Sequence, residues 1–326
     1  MSDEKKTVLL FSGQGAQEPG MGRAMAESNP EIMELWKKAE KLSALPLRGI
    51  YWEGGENQDD TRSLQPALTV TNLSLWMALA PRLKPAGTAG HSLGEYCALT
   101  AAGVLRPEKT LELVALRGRL MAEADPDGQG GMAALVRMNQ EQAEEAIRLT
   151  LAELGTGGAE TLIIANYNTP SQFVASGTRK GIALLGEKAR ELKGRSLPLA
   201  VSGAFHSPLI NEAAKEMGVA LKKCGFDHPR FPVYSNVSGQ GERNGEALKE
   251  LLLRQMSSPV RWIDTVRNMS LDGASRFVEC SPKAVLSKMV GQILHLEEPS
   301  AGTTKLAAMT VSGPEDLKSF EESDHA

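Results

Sequence analysis

The stretch at residues 90–94, with the sequence GHSLG, constrains this chain more than any other feature. A glycine–x–serine–x–glycine pattern that leads into a helix is typical of a nucleophile elbow, a sharp turn that lifts a serine hydroxyl clear of its backbone. Glycine at positions 90 and 94 lets backbone segments approach where a β-carbon would clash. The small residues at 95–105 favour a helix that packs tightly behind the turn. Ser92 is therefore a candidate nucleophile.

A serine nucleophile needs a nearby base to accept its proton, and the chain has five histidines. His91 adjoins the serine and is expected to point away from it and to pack. His228 lies in a segment that predicts a loop, His295 ends an apolar segment, and His325 lies in a polar tail. His206 precedes Ser207 and Pro208, which predict the start of a helix to about Cys224. The positive potential at that helix terminus would keep the imidazole neutral, so elimination predicts His206 as the base.

Arg117 lies in the middle of the apolar stripe of a predicted helix at residues 107–124. A guanidinium there must reach solvent or meet an anion, because an unpaired buried charge is very costly. Arginine binds carboxylates through two parallel hydrogen bonds, so Arg117 is a candidate receptor for a substrate carboxylate. A structural salt bridge to one of the chain's own acids is the alternative, and the sequence leaves both open.

The segment between the serine and the histidine predicts a separate small unit. Its predicted strands and helices are, in order, 132–138, 140–154, 161–166, 172–176, 178–192 and 196–201. The first, third, fourth and last are strands, which gives the β-α-β-β-α-β order of a ferredoxin-like fold. The flanking segments alternate apolar runs and helices, as in a mainly parallel α/β sheet. We predict an α/β-hydrolase-like domain of residues 1–131 and 202–326, with an inserted ferredoxin-like subdomain of residues 132–201.

Composition narrows the class of protein. A chain of 326 residues forms one large or two ordinary domains, and a net charge of −4 argues against nonspecific nucleic-acid binding. The three cysteines are scattered, so we expect no disulfide framework, and no Cys/His cluster has the spacing of a metal site. No apolar run predicts a membrane span, and residues 8–11 are too short for a signal peptide. We expect a soluble, cytoplasmic protein.

Several motifs occur along the chain. They are FSGQGAQ at 11–17 with GMG at 20–22, QPAL at 65–68, GHSLGEY at 90–96, RG at 117–118, ANYNTPSQ at 165–172, FHS at 205–207, and Gln255 ahead of PV at 259–260. Together they make the chain resemble the malonyl-CoA:acyl carrier protein transacylases, the acyltransferases of fatty acid synthesis, which are also similar to polyketide acyltransferase domains. The resemblance extends from about residue 7 to about residue 310.

The resemblance implies a reaction and its central residues. Ser92 would be the nucleophile that carries a malonyl group, His206 the base, and Arg117 the residue that holds the free carboxylate of malonate. The implied partners are malonyl-CoA and acyl carrier protein, with no nucleic acid, no membrane, no metal and no redox cofactor. We expect the chain to act as a monomer.

The resemblance also implies supporting residues. The backbone N–H groups of Gln14 and Leu93 would form an oxyanion hole, and the main-chain carbonyl of Gln255 would orient the histidine in place of an acid. Three further residues would bind substrate: Met121, Asn166 and Phe205. Two departures from the family pattern stand out. Ser12 replaces a usual proline, and residues 279–284 (ECSPKA) replace glycines that usually flank Pro282 and shape a pocket wall.

Two other functions are weighed against this interpretation. An α/β-hydrolase-type esterase or thioesterase would place an acid between the serine and the histidine in chain order and no arginine in the acyl pocket. A phosphate-binding loop at residues 13–15 is disfavoured. The later glycine is misplaced for a G-x-G-x-x-G motif, and no Lys-Ser/Thr pair follows. The chemistry of fatty acid and polyketide carriers is shared, so the sequence leaves a trans-acting polyketide acyltransferase as an alternative.

Overall fold

The computed structural model describes residues 6–56, 58–155, 161–201, 203–296 and 306–324, so Ser202 and His325 lie outside the described residues. The strands are β1 Thr7–Phe11, β2 Gly87–Gly90, β3 Gly130–Val136, β4 Leu162–Thr169, β5 Gln172–Thr178, β6 Arg195–Pro198, β7 Val233–Tyr234, β8 Gly241–Glu242, β9 Arg276–Cys280 and β10 Ala307–Val311. The helices are α1 Arg23–Ser28, α2 Pro30–Ser43, α3 Leu47–Tyr51, α4 Thr61–Leu79, α5 Gly94–Ala101, α6 Pro107–Glu123, α7 Gln140–Leu154, α8 Arg179–Glu191, α9 Asn211–Lys222, α10 Gly245–Gln255, α11 Trp262–Leu271, α12 Leu286–Leu294 and α13 Pro314–Asp324.

The larger sheet has the strand order β10-β9-β1-β2-β7-β8. Its neighbouring strands run parallel except β7 and β8, which are antiparallel. On the central strand β1, Val8 and Leu10 join one buried cluster while Leu9 and Phe11 join the other. Both faces are therefore covered, which explains why β1 is a continuous apolar run rather than an alternating one. The prediction of a mainly parallel α/β sheet is confirmed.

The smaller sheet is antiparallel, with the order β4-β5-β3-β6. Its elements follow the predicted order of strands and helices within a few residues. Leu135 and Phe173 are cross-strand partners, and they share a buried cluster with residues of α7 and α8. Met132 and Val174 lie on the opposite face and line the cavity that contains Ser92. The small sheet therefore forms one wall of the site.

One predicted helix begins later than expected. Residues 208–210 form a 3₁₀ turn, and α9 starts at Asn211 and ends at Lys222. The Ser207 hydroxyl accepts a hydrogen bond from the N–H of Leu209 at 3.2 Å, and the N–H of Ile210 donates to the Ser207 carbonyl. These short-range bonds tighten the turn after His206 into 3₁₀ geometry. In the described part of the chain no helix is long and apolar enough to cross a bilayer.

The two glycines of the elbow make the close approaches that their type allows. A β-carbon on Gly94 would overlap the Phe11 carbonyl at the end of β1, and one on Gly90 would overlap the Gly94 backbone. The turn between β2 and α5 is thus wedged directly against the carboxyl end of β1. The carboxyl ends of parallel strands are where sheets of this kind place their sites.

We expect Gly94→Ala to lower the free energy of unfolding by about 1–3 kcal/mol, because backbone must move to admit the methyl group. Denaturant titration measures this directly. Gly186→Ala is the matched control, since Gly186 lies in α8 with open space around its α-carbon. That change should instead stabilise the protein by about 0.5–1 kcal/mol. A Gly94→Ala protein as stable as the original would contradict the packing argument.

Candidate active site

Ser92 lies at the tip of a strained turn. Its backbone φ is 50°, in the left-handed region that non-glycine residues rarely adopt. The turn is fixed by hydrogen bonds from the His91 N–H to the Phe11 carbonyl at 3.0 Å and from the Gly94 N–H to the His91 carbonyl at 2.9 Å. Such strain persists only where surrounding contacts over-determine it, and it is concentrated at functional sites. The geometry matches the elbow predicted from the sequence.

His206 is in hydrogen-bond contact with the serine. The Ser92 Oγ and His206 Nε2 atoms are 2.7 Å apart, and Nδ1 lies 3.1 Å from the carbonyl oxygens of both Gln255 and Ser258. Carbonyl oxygens only accept, so Nδ1 carries the proton and Nε2 presents its lone pair to the serine hydroxyl. The structure thus brings together Ser92, His206 and Gln255 as predicted, with the Ser258 carbonyl as an additional partner that the sequence did not indicate.

The imidazole of His206 is held neutral by its surroundings. Burial, with a smaller effect from the Arg117 charge, lowers the pKa of His206 to about 3. The prediction that a helix N-terminus is the main cause of this neutrality is wrong. A three-residue 3₁₀ turn separates the histidine from α9, and removal from water is the largest cause of the lowered pKa. His91 does not contact the hydroxyl as a base; it pairs with Asn168 at 2.8 Å and packs edge-on against Trp262.

Arg117 is 1% exposed and faces the nucleophile. Its Nη2 atom donates to the Ser92 Oγ at 3.1 Å and to the Gln255 Oε1 at 3.3 Å, and Nη1 donates to the Gln65 Oε1 at 2.8 Å. No carboxylate pairs with the guanidinium among the described residues, and its Nε has no hydrogen-bond partner there. Of the two alternatives left open, a binding site for a substrate carboxylate fits this geometry and a salt bridge to the chain's own acids does not.

The remaining predicted residues lie around the same cavity. Gln14 and Leu93 both line it, and in the part of the chain that the structure describes neither backbone N–H donates a hydrogen bond. The Gln14 side chain is occupied separately, since its Nε2 donates to the Thr61 hydroxyl at 3.4 Å. The three predicted substrate contacts also line the cavity: Met121, Asn166 and Phe205. Free backbone donors beside a serine nucleophile are the requirement for an oxyanion hole.

Two residues of the site were missed by the sequence analysis. Asn236 accepts from the Ser92 N–H at 2.6 Å and donates to the Gly90 carbonyl at 2.6 Å, so it clamps both sides of the elbow. It is 144 residues away from the serine and lies in no recognised motif. Gln65 holds Arg117, and its position in the quoted QPAL motif was the available signal.

The two departures from the family pattern contact each other. The Ser281 hydroxyl donates to the Ser12 hydroxyl at 2.7 Å in the protein interior. Cys280 is fully buried and does not line the cavity. The wall on this side comes from Val285, Leu286 and Met289 at the start of α12. Glu279 fixes that helix end, since its carboxylate accepts from the N–H groups of residues 285–287.

In the described residues no group of His, Cys, Asp and Glu is arranged to hold a metal ion.

Comparisons with known proteins agree with this geometry. The profile of the acyl transferase domain family matches residues 8–321. The chain is 35% identical over 320 residues to the malonyl CoA-acyl carrier protein transacylase of Bacillus subtilis, covering 96% of this chain and 95% of that protein. It is 35% identical over 295 residues to the protein of the same name from Haemophilus influenzae, covering 89% and 93%.

Solved structures give the same result. An acyl carrier protein S-malonyltransferase from Vibrio cholerae superposes with a TM-score of 0.87 at 32% identity, covering 97% of this chain and 99% of that one. A malonyl-transacylase in complex with a type II PKS acyl-carrier protein superposes with a TM-score of 0.88 at 31% identity, covering 98% and 99%.

The lowered pKa of His206 gives a prediction for stability. The unfolded chain binds a proton on this histidine below its ordinary pKa of about 6.5, whereas the folded protein does so only near 3. Between these values the unfolded state binds more protons, so the free energy of unfolding falls as pH falls, by up to about 1.4 kcal/mol per pH unit. We expect denaturant titrations at several pH values to show a smaller loss for His206→Gln. The difference between the two curves of unfolding free energy against pH cancels the titration of all groups that the two proteins share. Parallel curves would contradict the lowered pKa of His206.

Proposed function

The chain belongs to the acyl transferase domain family, and on that premise we propose that it transfers a malonyl group from malonyl-CoA to the phosphopantetheine thiol of an acyl carrier protein. It is an acyltransferase, as its relatives named malonyl CoA-acyl carrier protein transacylase are. The observation that carries the choice of acyl group is the buried guanidinium of Arg117, 3.1 Å from the serine hydroxyl and without an acidic partner among the described residues. A malonyl ester on Ser92 would bring its free carboxylate within reach of this cation.

The first half of the reaction loads the serine. His206 Nε2 accepts the proton of Ser92 Oγ as that oxygen attacks the thioester carbonyl. The negative oxygen of the tetrahedral intermediate is stabilised by the N–H groups of Gln14 and Leu93, a contribution of roughly 3–4 kcal/mol for each donor. Collapse breaks the carbon–sulfur bond, and the coenzyme A thiolate leaves with the proton from the imidazolium. The product is malonyl-Ser92.

The second half runs through the same atoms in reverse. The carrier thiol gives its proton to His206 Nε2 and attacks the ester carbonyl. A second oxyanion forms in the same hole, the bond to Ser92 Oγ breaks, and the serine recovers its proton. Serine and imidazole carry out every proton transfer in this scheme and backbone amides hold the oxyanion, so we propose that no metal or redox cofactor takes part.

Arg117 determines which acyl group is held. In the structure its Nη2 donates to Ser92 Oγ, and the malonyl carboxylate would replace that hydroxyl as acceptor. Gln65 keeps the guanidinium in position, since its Nε2 is directed to the Met121 sulfur at 3.1 Å and its Oε1 to Arg117. We propose that Met121, Asn166 and Phe205, which line the same cavity, contact the acyl group and the pantetheine arm.

The esterase alternative is disfavoured by two contacts. Nδ1 of His206 faces two carbonyl oxygens rather than an acid, and an arginine lies in the acyl pocket. We assign the reaction to fatty acid biosynthesis from the resemblance of the motifs. The similarity to a malonyl-transacylase bound to a type II PKS carrier supports the polyketide alternative, in which the chemistry on Ser92 is the same.

We propose an α/β-hydrolase-like catalytic domain of residues 1–131 and 202–326 and a ferredoxin-like subdomain of residues 132–201. The antiparallel order β4-β5-β3-β6, with helices after its first and third strands in the chain, supports the second assignment. We also propose that the protein acts in the cytoplasm as a monomer, since one chain supplies every group in the scheme above.

The central test is covalent loading. Incubation with malonyl-CoA should add one malonyl group to the protein by intact mass spectrometry, and Ser92→Ala should accept none while keeping its melting temperature. The loaded protein is then mixed with phosphopantetheinylated carrier or with buffer alone. A transferase passes the group to the carrier thiol much faster than to water. Loading of the Ser92→Ala protein, or equal loss to water and carrier, would refute the proposal.

A second prediction concerns selectivity. Arg117→Ala leaves the malonyl carboxylate unpaired in a buried site, which costs roughly 2–5 kcal/mol, so kcat/KM for malonyl-CoA should fall by about 30-fold or more. Loading from acetyl-CoA, which lacks the carboxylate, should be retained or improved. Arg119→Ala is the matched control, because Arg119 is on the same helix but pairs at the surface with Glu123 and Glu216. An equal fall for both thioesters would overturn the role of Arg117.

A further inference from the structure

Glu95 is a buried acid that the scheme above does not use. It lies in the first turn of α5, three residues after the nucleophile, and is 2% exposed. Its Oε2 accepts from the Gln255 Nε2 at 3.0 Å, and its Oε1 accepts from the Asn236 backbone N–H at 3.4 Å. Both oxygens therefore face donors, which is the arrangement that suits an ionised carboxylate.

The contact with Gln255 determines which way that side-chain amide faces. Its Nε2 also donates to the Ser92 carbonyl at 2.7 Å, so both protons of the NH₂ group are used. Its Oε1 is consequently turned toward Arg117 Nη2 at 3.3 Å. Because a carboxylate offers only acceptors, Glu95 enforces this orientation. The opposite one would direct an NH₂ group at the guanidinium and a carbonyl oxygen at the carboxylate.

The contact with Asn236 reaches the other side of the nucleophile. The Asn236 side chain accepts from the Ser92 N–H and donates to the Gly90 carbonyl. Glu95 thus reaches both peptide groups that flank Ser92, whose backbone φ is 50°. It reaches the Ser92 carbonyl through Gln255 and the Ser92 N–H through Asn236. It reaches His206 as well, since the Gln255 carbonyl accepts from Nδ1 of that ring.

The charge of Glu95 complements that of Arg117 without a direct pair. The two residues interact electrostatically, and the intervening Gln255 amide leaves Nη2 directed at Ser92 Oγ. An acid bound directly to the guanidinium would occupy the donors that a substrate carboxylate needs. Tyr96, on the same helix as Glu95, is an ionisable group that interacts with both.

We propose that Glu95 is a positioning residue of the malonyl transfer proposed above: its carboxylate orients Gln255 and Asn236, and through them it fixes the nucleophile turn and aims Arg117. A glutamine at this position has one acceptor and one donor in place of two acceptors. Because the two donors face different oxygens of Glu95, the single oxygen of glutamine can lie against only one of them, and its NH₂ group would meet the other. Glu95→Gln therefore keeps the shape of the side chain and removes the property that orients the network.

The experiment measures Ser92 reactivity with a fluorophosphonate, an uncharged serine-directed reagent whose use does not depend on malonyl recognition. Intact mass spectrometry gives both the rate constant and the final extent of labelling. We expect Glu95→Gln to lower the rate constant by about tenfold or more with complete final labelling, since hydrogen bonds to a charged acceptor are lost. An unchanged rate constant overturns the proposal. A purely structural role would give an unchanged rate constant with a reduced final extent of labelling.

A second measurement uses the unaltered protein and so does not depend on the variant folding. Burial raises the pKa of Glu95 to about 7, against the opposing effects of hydrogen bonds from Gln255, Ser235 and Asn236 and of the Arg117 charge. Protonation of Glu95 places an O–H donor against the N–H donors of Gln255 and Asn236. The labelling rate constant should therefore fall as pH falls through about 7. His206 stays neutral in this range because burial lowers its pKa. A rate constant that is flat from about pH 8 to about pH 5.5 overturns the proposal.

The two proposals fail separately. If the unaltered protein reacts with the fluorophosphonate but accepts no malonyl group, the assigned reaction is wrong, while the dependence of Ser92 on Glu95 is still measured. If malonyl loads normally and Glu95→Gln labels as fast as the unaltered protein, the positioning role is wrong and the reaction stands. In Glu95→Gln the pH dependence near 7 should disappear, because the titrating group is gone.

Discussion

The buried charge of Arg117 is the constraint around which this site is arranged. Removing a guanidinium from water is costly, and a direct acidic partner would offset that cost. Among the described residues the guanidinium instead donates to neutral acceptors, Gln65, Ser92 and Gln255, and it lies over the ring of Tyr96. Glu95 interacts with this charge electrostatically, and the Gln255 amide lies between the two groups. Under the proposed function, the absence of a direct acidic partner allows the malonyl carboxylate to replace Ser92 Oγ as an acceptor of Arg117.

Primary amides do most of the orienting, because each has one donor end and one acceptor end. Gln255 directs its donors to Glu95 and the Ser92 carbonyl and its acceptor to Arg117. Asn236 directs its acceptor to the Ser92 N–H. The serine's left-handed backbone is thus held on both flanking peptide groups, and strain of this kind persists only with such support. Reversal of one amide would disturb the nucleophile and the cation together.

The sequence predicted those parts of the site that local pattern encodes. The elbow around Ser92 depends on two glycines whose β-carbons would overlap backbone, and such a requirement is visible in five letters. His206 followed from elimination, although the cause of its neutrality was wrong, since burial is a tertiary property that no neighbouring residue reveals. The contacts of Asn236 were not predictable, because its side chain meets the elbow only after β7 has docked beside β2. The succession of strands and helices along the small subdomain was predictable from the pattern of apolar residues, whereas the contribution of its sheet to the cavity wall was not.

The charges of the site also couple substrate binding to base strength under the proposed function. Burial is the largest cause of the lowered pKa of His206, and the Arg117 charge adds to it. A malonyl carboxylate bound to Arg117 would cancel much of that charge, so the imidazole becomes a stronger base when the cognate substrate is in place. The imidazolium formed during attack stays desolvated and gives its proton readily to the departing thiolate. An uncharged acyl group occupies the same cavity without this effect, so one cation both binds the carboxylate and favours proton transfer from Ser92 when that carboxylate is present.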